Sequence, residues 1–86
     1  MREVINEKVS VVTIYDREKN TVLPWIVKWQ GRRYKITKFG YRHTQRIGRV
    51  LHHIFSVSTN TMFFKLNFNT ENLIWTLEEV ADGLAT

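Results

Sequence analysis

The sequence contains no cysteine. Disulfide staples, thiolate nucleophiles and cysteine-ligated zinc are therefore excluded. The same lack fits a reducing compartment. Proline is nearly absent, with Pro24 the one example, and glycine occupies four positions. No apolar run approaches the ~18 residues of a membrane span. The opening MREVINEKVS mixes both charge signs and has no apolar block of signal-peptide length, so a soluble cytoplasmic protein is predicted. The most pointed absence is of acid. Across the 52 residues from Lys19 to Thr70 there is neither aspartate nor glutamate.

That acid-free stretch holds ten of the 13 Lys/Arg and nine of the 11 aromatic residues. The acids lie outside it: Glu3, Glu7, Asp16 and Glu18 before, Glu71, Glu78, Glu79 and Asp82 after. A single-sign field over most of a small domain attracts polyanions. The formal net charge of +5 carries less information than this segregation. Eighty-six residues, 43% of them hydrophobic, make one domain with enough apolar matter for a core. Residues 1–7 read as a flexible lead-in and residues 8–86 as a single β domain.

From Lys8 onward the pattern has mostly period two, the mark of half-buried strands. Strands are predicted at Val9 to Tyr15, Trp25 to Gln30, Arg32 to Phe39, Val50 to Ser58, Met62 to Asn69 and Leu73 to Leu77. Trp25, Val27 and Trp29 share one face of the second strand, and Tyr34 and Ile36 face the core from the third. Two hairpin registers fit: Trp29 opposite Tyr34, or Val27 opposite Tyr34. Both preserve the aromatic face, because a two-residue slip keeps side-chain direction. A turn at Thr59-Asn60 would set Phe55 against Phe64 and Leu51 against Phe68. Lys38 to Arg49, KFGYRHTQRIGR, reads as a long basic loop or distorted strand end, and Glu78 to Leu84 as a closing helical turn. The expected fold is all-β: a small five- or six-stranded antiparallel barrel or strongly bent sheet, SH3-like, with an oligonucleotide-binding barrel as runner-up.

Between Pro24 and Val80 the chain shows PWIVKWQGRRYKI, FSVS, FFKLNFN and WTLEEV. These blocks resemble a family of short bacterial β domains of unknown function, marked by a Pro, a W-x-G-R-x-Y hairpin and a closing W-x-L. The matching positions are Pro24, Trp29, Gly31, Arg32, Tyr34, Ile36, Phe55, Val57, Phe64, Leu66, Phe68, Trp75 and Leu77. Where that family often carries another Trp after the third strand, this chain has Phe39 or Tyr41. The resemblance implies a compact β domain, sometimes attached to DNA-handling proteins, and assigns no activity.

Three regions are candidate nucleic-acid contacts. On the outward hairpin face, Lys28 opposes Arg33 or Lys35 according to register, and opposed like charges are destabilising. Phosphates would relieve that repulsion; so would water and salt. In the basic segment, Lys38, Arg42, Arg46 and Arg49 could meet phosphate oxygens while Tyr41 stacks on a base. The bland alternative is a solvated connector. Phe63 falls on an outer face beside Ile54 and Lys65, as a stacking platform, a dimer contact or part of a second small core. His52 and His53 point to opposite faces of one strand and cannot grip one metal. Glu78 and Glu79 diverge in an extended strand, and no phosphate loop or nucleophile–base spacing occurs. No catalytic residue, metal or cofactor is predicted.

The leading expectation is a non-catalytic β module that binds DNA or RNA, as a monomer or homodimer. The alternative is a protein-interaction or self-assembly module recognising an acidic partner. A third, a small-molecule or enzymatic role, would require a deep polar pocket in a barrel mouth.

Overall fold

Alternating bulky and polar residues commit this chain to strands. The computed structural model describes residues 2–82. In it, antiparallel strands form a single seven-stranded sheet. They are β1 (Arg2–Asp16), β2 (Thr21–Trp29), β3 (Arg32–Lys35), β4 (Lys38–Ile47), β5 (Val50–Ser58), β6 (Met62–Asn69) and β7 (Trp75–Asp82). The order across the sheet is β3-β2-β1-β7-β6-β5-β4. No helix occurs among the described residues, so none there is long and apolar enough to cross a membrane.

The all-β antiparallel expectation holds, but the count of five or six strands and the SH3-like barrel do not. The additional strand is β4, in the segment read as a basic loop. It sits at the sheet edge and needs one ladder and no buried face, so alternation did not reveal it. Closure fails because no ladder joins the edge strands β3 and β4. The chain itself joins them instead, through Ile36 and Thr37. Ile36 N–H donates to Trp25 O (2.9 Å) on one side, and Thr37 N–H donates to Ser58 O (2.8 Å) on the other. The sheet is thus curled until two of its corners meet, with the remainder of that seam open.

Much of the curl comes from β1. A straight strand of 15 residues would span about 50 Å, well beyond the molecule's 36 Å long axis. β1 therefore bends and serves two neighbours. Arg2 to Val9 pairs with β7, and Ser10 to Asp16 pairs with β2. Residues 2–7, expected as a lead-in, form the first half of this strand. Glu78 to Asp82, expected within a helical turn, belong to β7; Gly83 and Leu84 lie outside the described residues.

The core fills the concave side. Val27, Trp29 and Ile36 from the β2–β3 wing meet Phe55, Val57, Phe64, Leu66, Phe68, Trp75, Leu77 and Val80 from the main sheet. Trp29, Tyr34 and Phe64 form one ring triad, with centroids 5.2 to 6.2 Å apart. Phe68, Trp75 and Phe55 form a second, with spacings of 4.7 and 5.6 Å. Each such pair adds about 0.5–1.5 kcal/mol to the burial of its area. The indoles also satisfy their polar edges: Trp29 Nε1 donates to Glu7 Oε2 (3.2 Å) and Trp75 Nε1 to Thr13 Oγ1 (3.1 Å).

Two hairpins settle the registers. Val27 opposes Tyr34, with Gln30 and Gly31 as the loop. Both loop residues have positive φ, 52° and 72°, the geometry whose twist matches paired strands. In the β5–β6 hairpin Phe55 opposes Leu66 and Val57 opposes Phe64. Thr59 N–H bonds Met62 O, so the turn is Asn60-Thr61 rather than Thr59-Asn60. This slip of two residues preserves every inward side chain.

Candidate nucleic-acid interface

Opposed residues on neighbouring antiparallel strands share a face, so register assigns each candidate to the concave or the convex side. Lys28 lies directly opposite Arg33 on the convex side of the β2–β3 wing. Lys35, opposite Ile26, shares that side. Its ammonium lies 5.4 Å from the centre of the Trp25 ring, a cation–π pair worth roughly 0.5–1 kcal/mol at an exposed site.

Trp25 was expected on the core face with Val27 and Trp29. It is instead 39% exposed. Between Val12↔Ile26 and Thr13↔Pro24 the register slips, leaving Trp25 as the extra residue of a β-bulge. Pro24 takes the buried place and the indole turns outward.

On β4 the expected basic group divides between faces. Lys38 opposes Ser58 and Tyr41 opposes Ser56, both convex. Arg42 opposes Phe55 and Arg46 opposes Leu51, both on the concave side. The switch is a bulge at Gly40, between Phe39 and Tyr41. A Cβ at this glycine would lie 3.2 Å from Ser56 O, so the close strand approach favours glycine. Arg42 reaches across the open seam, its Nη1 donating to Thr21 Oγ1 at 3.3 Å. Arg49 sits in the Gly48-Arg49 turn between β4 and β5.

Phe63 is convex and 46% exposed. The slip in register moves it opposite Ser58, away from Ile54. Ile54 itself is buried between the neighbouring His43 and Asn67, so it offers no contact surface. Tyr41, 64% exposed, packs its ring 5.2 Å from His43. Lys38, Tyr41 and Phe63 together line a convex groove of 590 Å³, whose other walls include Arg2, Lys65 and Glu79.

The histidines diverge as expected. His52 Nδ1 lies 2.7 Å from Asn67 Oδ1 on the convex side, while His53 faces inward beside Phe55, 6.4 Å between ring centres. Burial, and secondarily the Arg42 guanidinium, hold the His53 pKa below its ordinary value. Among the described residues no group of three His, Asp or Glu is placed to hold a metal. Glu78 and Glu79 do not diverge. A bulge between Lys65 and Leu66 in the β6–β7 ladder brings both carboxylates to Lys65 Nζ, at 3.6 and 3.7 Å. Glu79 also pairs with Arg2 (3.0 Å), and Glu78 accepts from Asn67 Nδ2 (2.8 Å). The ion pairs among the described residues thus engage Arg2 and Lys65, not Lys28, Arg33, Lys35 or Lys38.

Bulges account for the side-chain placements that alternation missed: the outward Trp25, the split of β4 and the converging Glu78 and Glu79. No family model matches this chain, and no curated protein or solved structure matches it.

Proposed function

We propose that this protein is a non-catalytic nucleic-acid-binding module that uses the convex surface around the β3–β4 corner. One observation carries the reading: Lys28, Arg33, Lys35 and Lys38 share the convex face with exposed aromatics and are not engaged in the ion pairs that occupy Glu78 and Glu79. Lys35 and Lys38 are three residues apart, which limits their Cα separation to about 11 Å. Phosphates meeting these side chains would relieve the repulsion of the directly opposed Lys28 and Arg33. Trp25, Tyr41 and Phe63 would supply sequence-tolerant stacking. Arg42 and Arg46, turned to the concave side, have a lesser part in this reading than charge segregation alone implies. The absence of cysteine supports action in a reducing compartment such as the cytoplasm.

Fluorescence anisotropy with labelled single- and double-stranded oligonucleotides tests the reading. Binding in the micromolar range at low salt, weakening steeply as salt rises, is expected. Affinity no better than millimolar at low salt rejects it.

A second reading, addition of an acidic protein strand to the sheet, draws on the free edge of β4, ten residues long and bearing Lys38, Arg42 and Arg46. Displacement of bound oligonucleotide by an acidic peptide, and not by a neutral one, would favour it.

A further inference from the structure

The convex groove has a regular plan. Its floor is β5, which presents the small residues Ser56 and Ser58. On the β4 side Tyr41 stands opposite Ser56 and Lys38 opposite Ser58. On the β6 side Lys65 stands opposite Ser56 and Phe63 opposite Ser58. Two rings and two ammonium groups therefore occupy alternate corners around a hydroxyl floor. The rings stand on a diagonal: their strands are two spacings apart, about 9.6 Å, and their rows two residues apart, about 6.8 Å, so about 12 Å separates their backbone positions. Two ring-to-ring contacts, each with centroids about 4.5–7 Å apart, fit such a span. His43 backs the Tyr41 ring. Glu79, the acid of the groove, is held by Arg2 and Lys65; Lys38 has no such partner among the described residues.

We infer that this groove seats one unstacked nucleobase between Tyr41 and Phe63, with the adjoining phosphate on Lys38. The inference rests on the nucleic-acid reading above and narrows it to single strands. Bases in a duplex are already stacked on their neighbours and cannot enter. The serine hydroxyls donate and accept, so they meet the edge of any base, and the site is tolerant of sequence. From Lys38 the strand continues over the corner towards Lys35 and Arg33.

The test compares labelled oligothymidylate, an abasic strand of equal length and a duplex of equal length, by anisotropy. One base–aromatic stack is a factor of about 5 to 150, and the abasic strand and the duplex, which lose the contacts to both rings, should bind more weakly than oligothymidylate by at least a factor in that range. Tyr41→Ala and Phe63→Ala should each weaken oligothymidylate by a factor in that range and leave the abasic strand unaffected. Lys38→Ala should weaken both strands. Both rings are exposed, so unchanged thermal melts should accompany these losses. Equal binding of abasic and thymidine strands, or ring variants that bind normally, would overturn the groove while leaving phosphate binding intact. If the unaltered protein binds no probe at low salt, the underlying reading fails as well. A wild-type dimer that Phe63→Ala converts to monomer would make the ring a subunit contact and overturn the inference.

Discussion

The hairpin β2–β3 and the strand β4 follow one another in the chain and carry similar basic charge, yet they dispose of it differently. In the hairpin, Val27 and Trp29 are buried and Tyr34 packs against them. Burial of one face decides the other, so Lys28, Arg33 and Lys35 all turn outward. In β4 no residue is buried. Nothing apolar fixes the direction of its cations, and a single bulge at Gly40 separates Lys38 from Arg42 and Arg46. Between the hairpin's ends the core sorts charge; at its loop end Arg32, opposite Trp29, lies on the concave side, and in β4 local backbone geometry decides.

The comparison breaks most visibly in stability. Trp29→Ala removes the centre of a ring triad and a hydrogen bond to Glu7. It should cost about 3–5 kcal/mol in urea unfolding. Tyr41→Ala, on exposed β4, should stay within about 0.5 kcal/mol. Similar losses for both would mean that β4 is as deeply committed to the core as the hairpin.

A smaller effect lies in the hairpin loop. Gln30 sits at φ 52° and Gly31 at φ 72°. Gly31→Ala should destabilise by about 1 kcal/mol, because a Cβ is strained there. Gln30→Asn should stabilise by a few tenths of a kcal/mol, since asparagine tolerates that conformation better. Thermal melts that move in the opposite directions would place the turn elsewhere.

The smallest effect concerns the seam where β4 faces the interior. The His53 pKa lies below its ordinary 6.5, first through burial and second through Arg42. The folded protein then binds this proton less readily than the unfolded chain. The imidazole's influence is neutral well above pH 6.5, and stability falls as pH drops through that value towards the folded pKa. Arg42→Ala should raise the His53 titration midpoint in NMR spectra. His53→Gln should flatten the pH dependence of melting in this window.

The faces of β5 and β6 were legible in the sequence because Phe55, Val57, Phe64, Leu66 and Phe68 alternate without interruption. Their exact partners were not, since slipping by two leaves the pattern unchanged; the hydrogen bond from Thr59 to Met62 O selects one register. The hairpin likewise kept two registers open until the loop geometry chose Gln30-Gly31. β4 was hidden because KFGYRHTQRI has no apolar face to repeat. The inward cations, the outward Trp25 and the meeting of Glu78 with Glu79 all depend on bulges. One extra residue reverses side-chain parity, and a count of alternating residues does not register it. The Tyr41–Phe63 groove arises from strands distant in sequence, so its two rings were named separately and not as a pair.

The salt dependence of oligonucleotide affinity tests the central claim most directly. Single-strand binding through Lys28, Arg33, Lys35 and Lys38 predicts a slope of log K against log salt of about −2.8, at roughly 0.7 per phosphate contact. Lys28→Ala with Arg33→Ala should reduce its magnitude by about 1.4, and Arg42→Ala with Arg46→Ala should leave it nearly unchanged. A slope that responds to the β4 pair and ignores the hairpin pair would contradict the account.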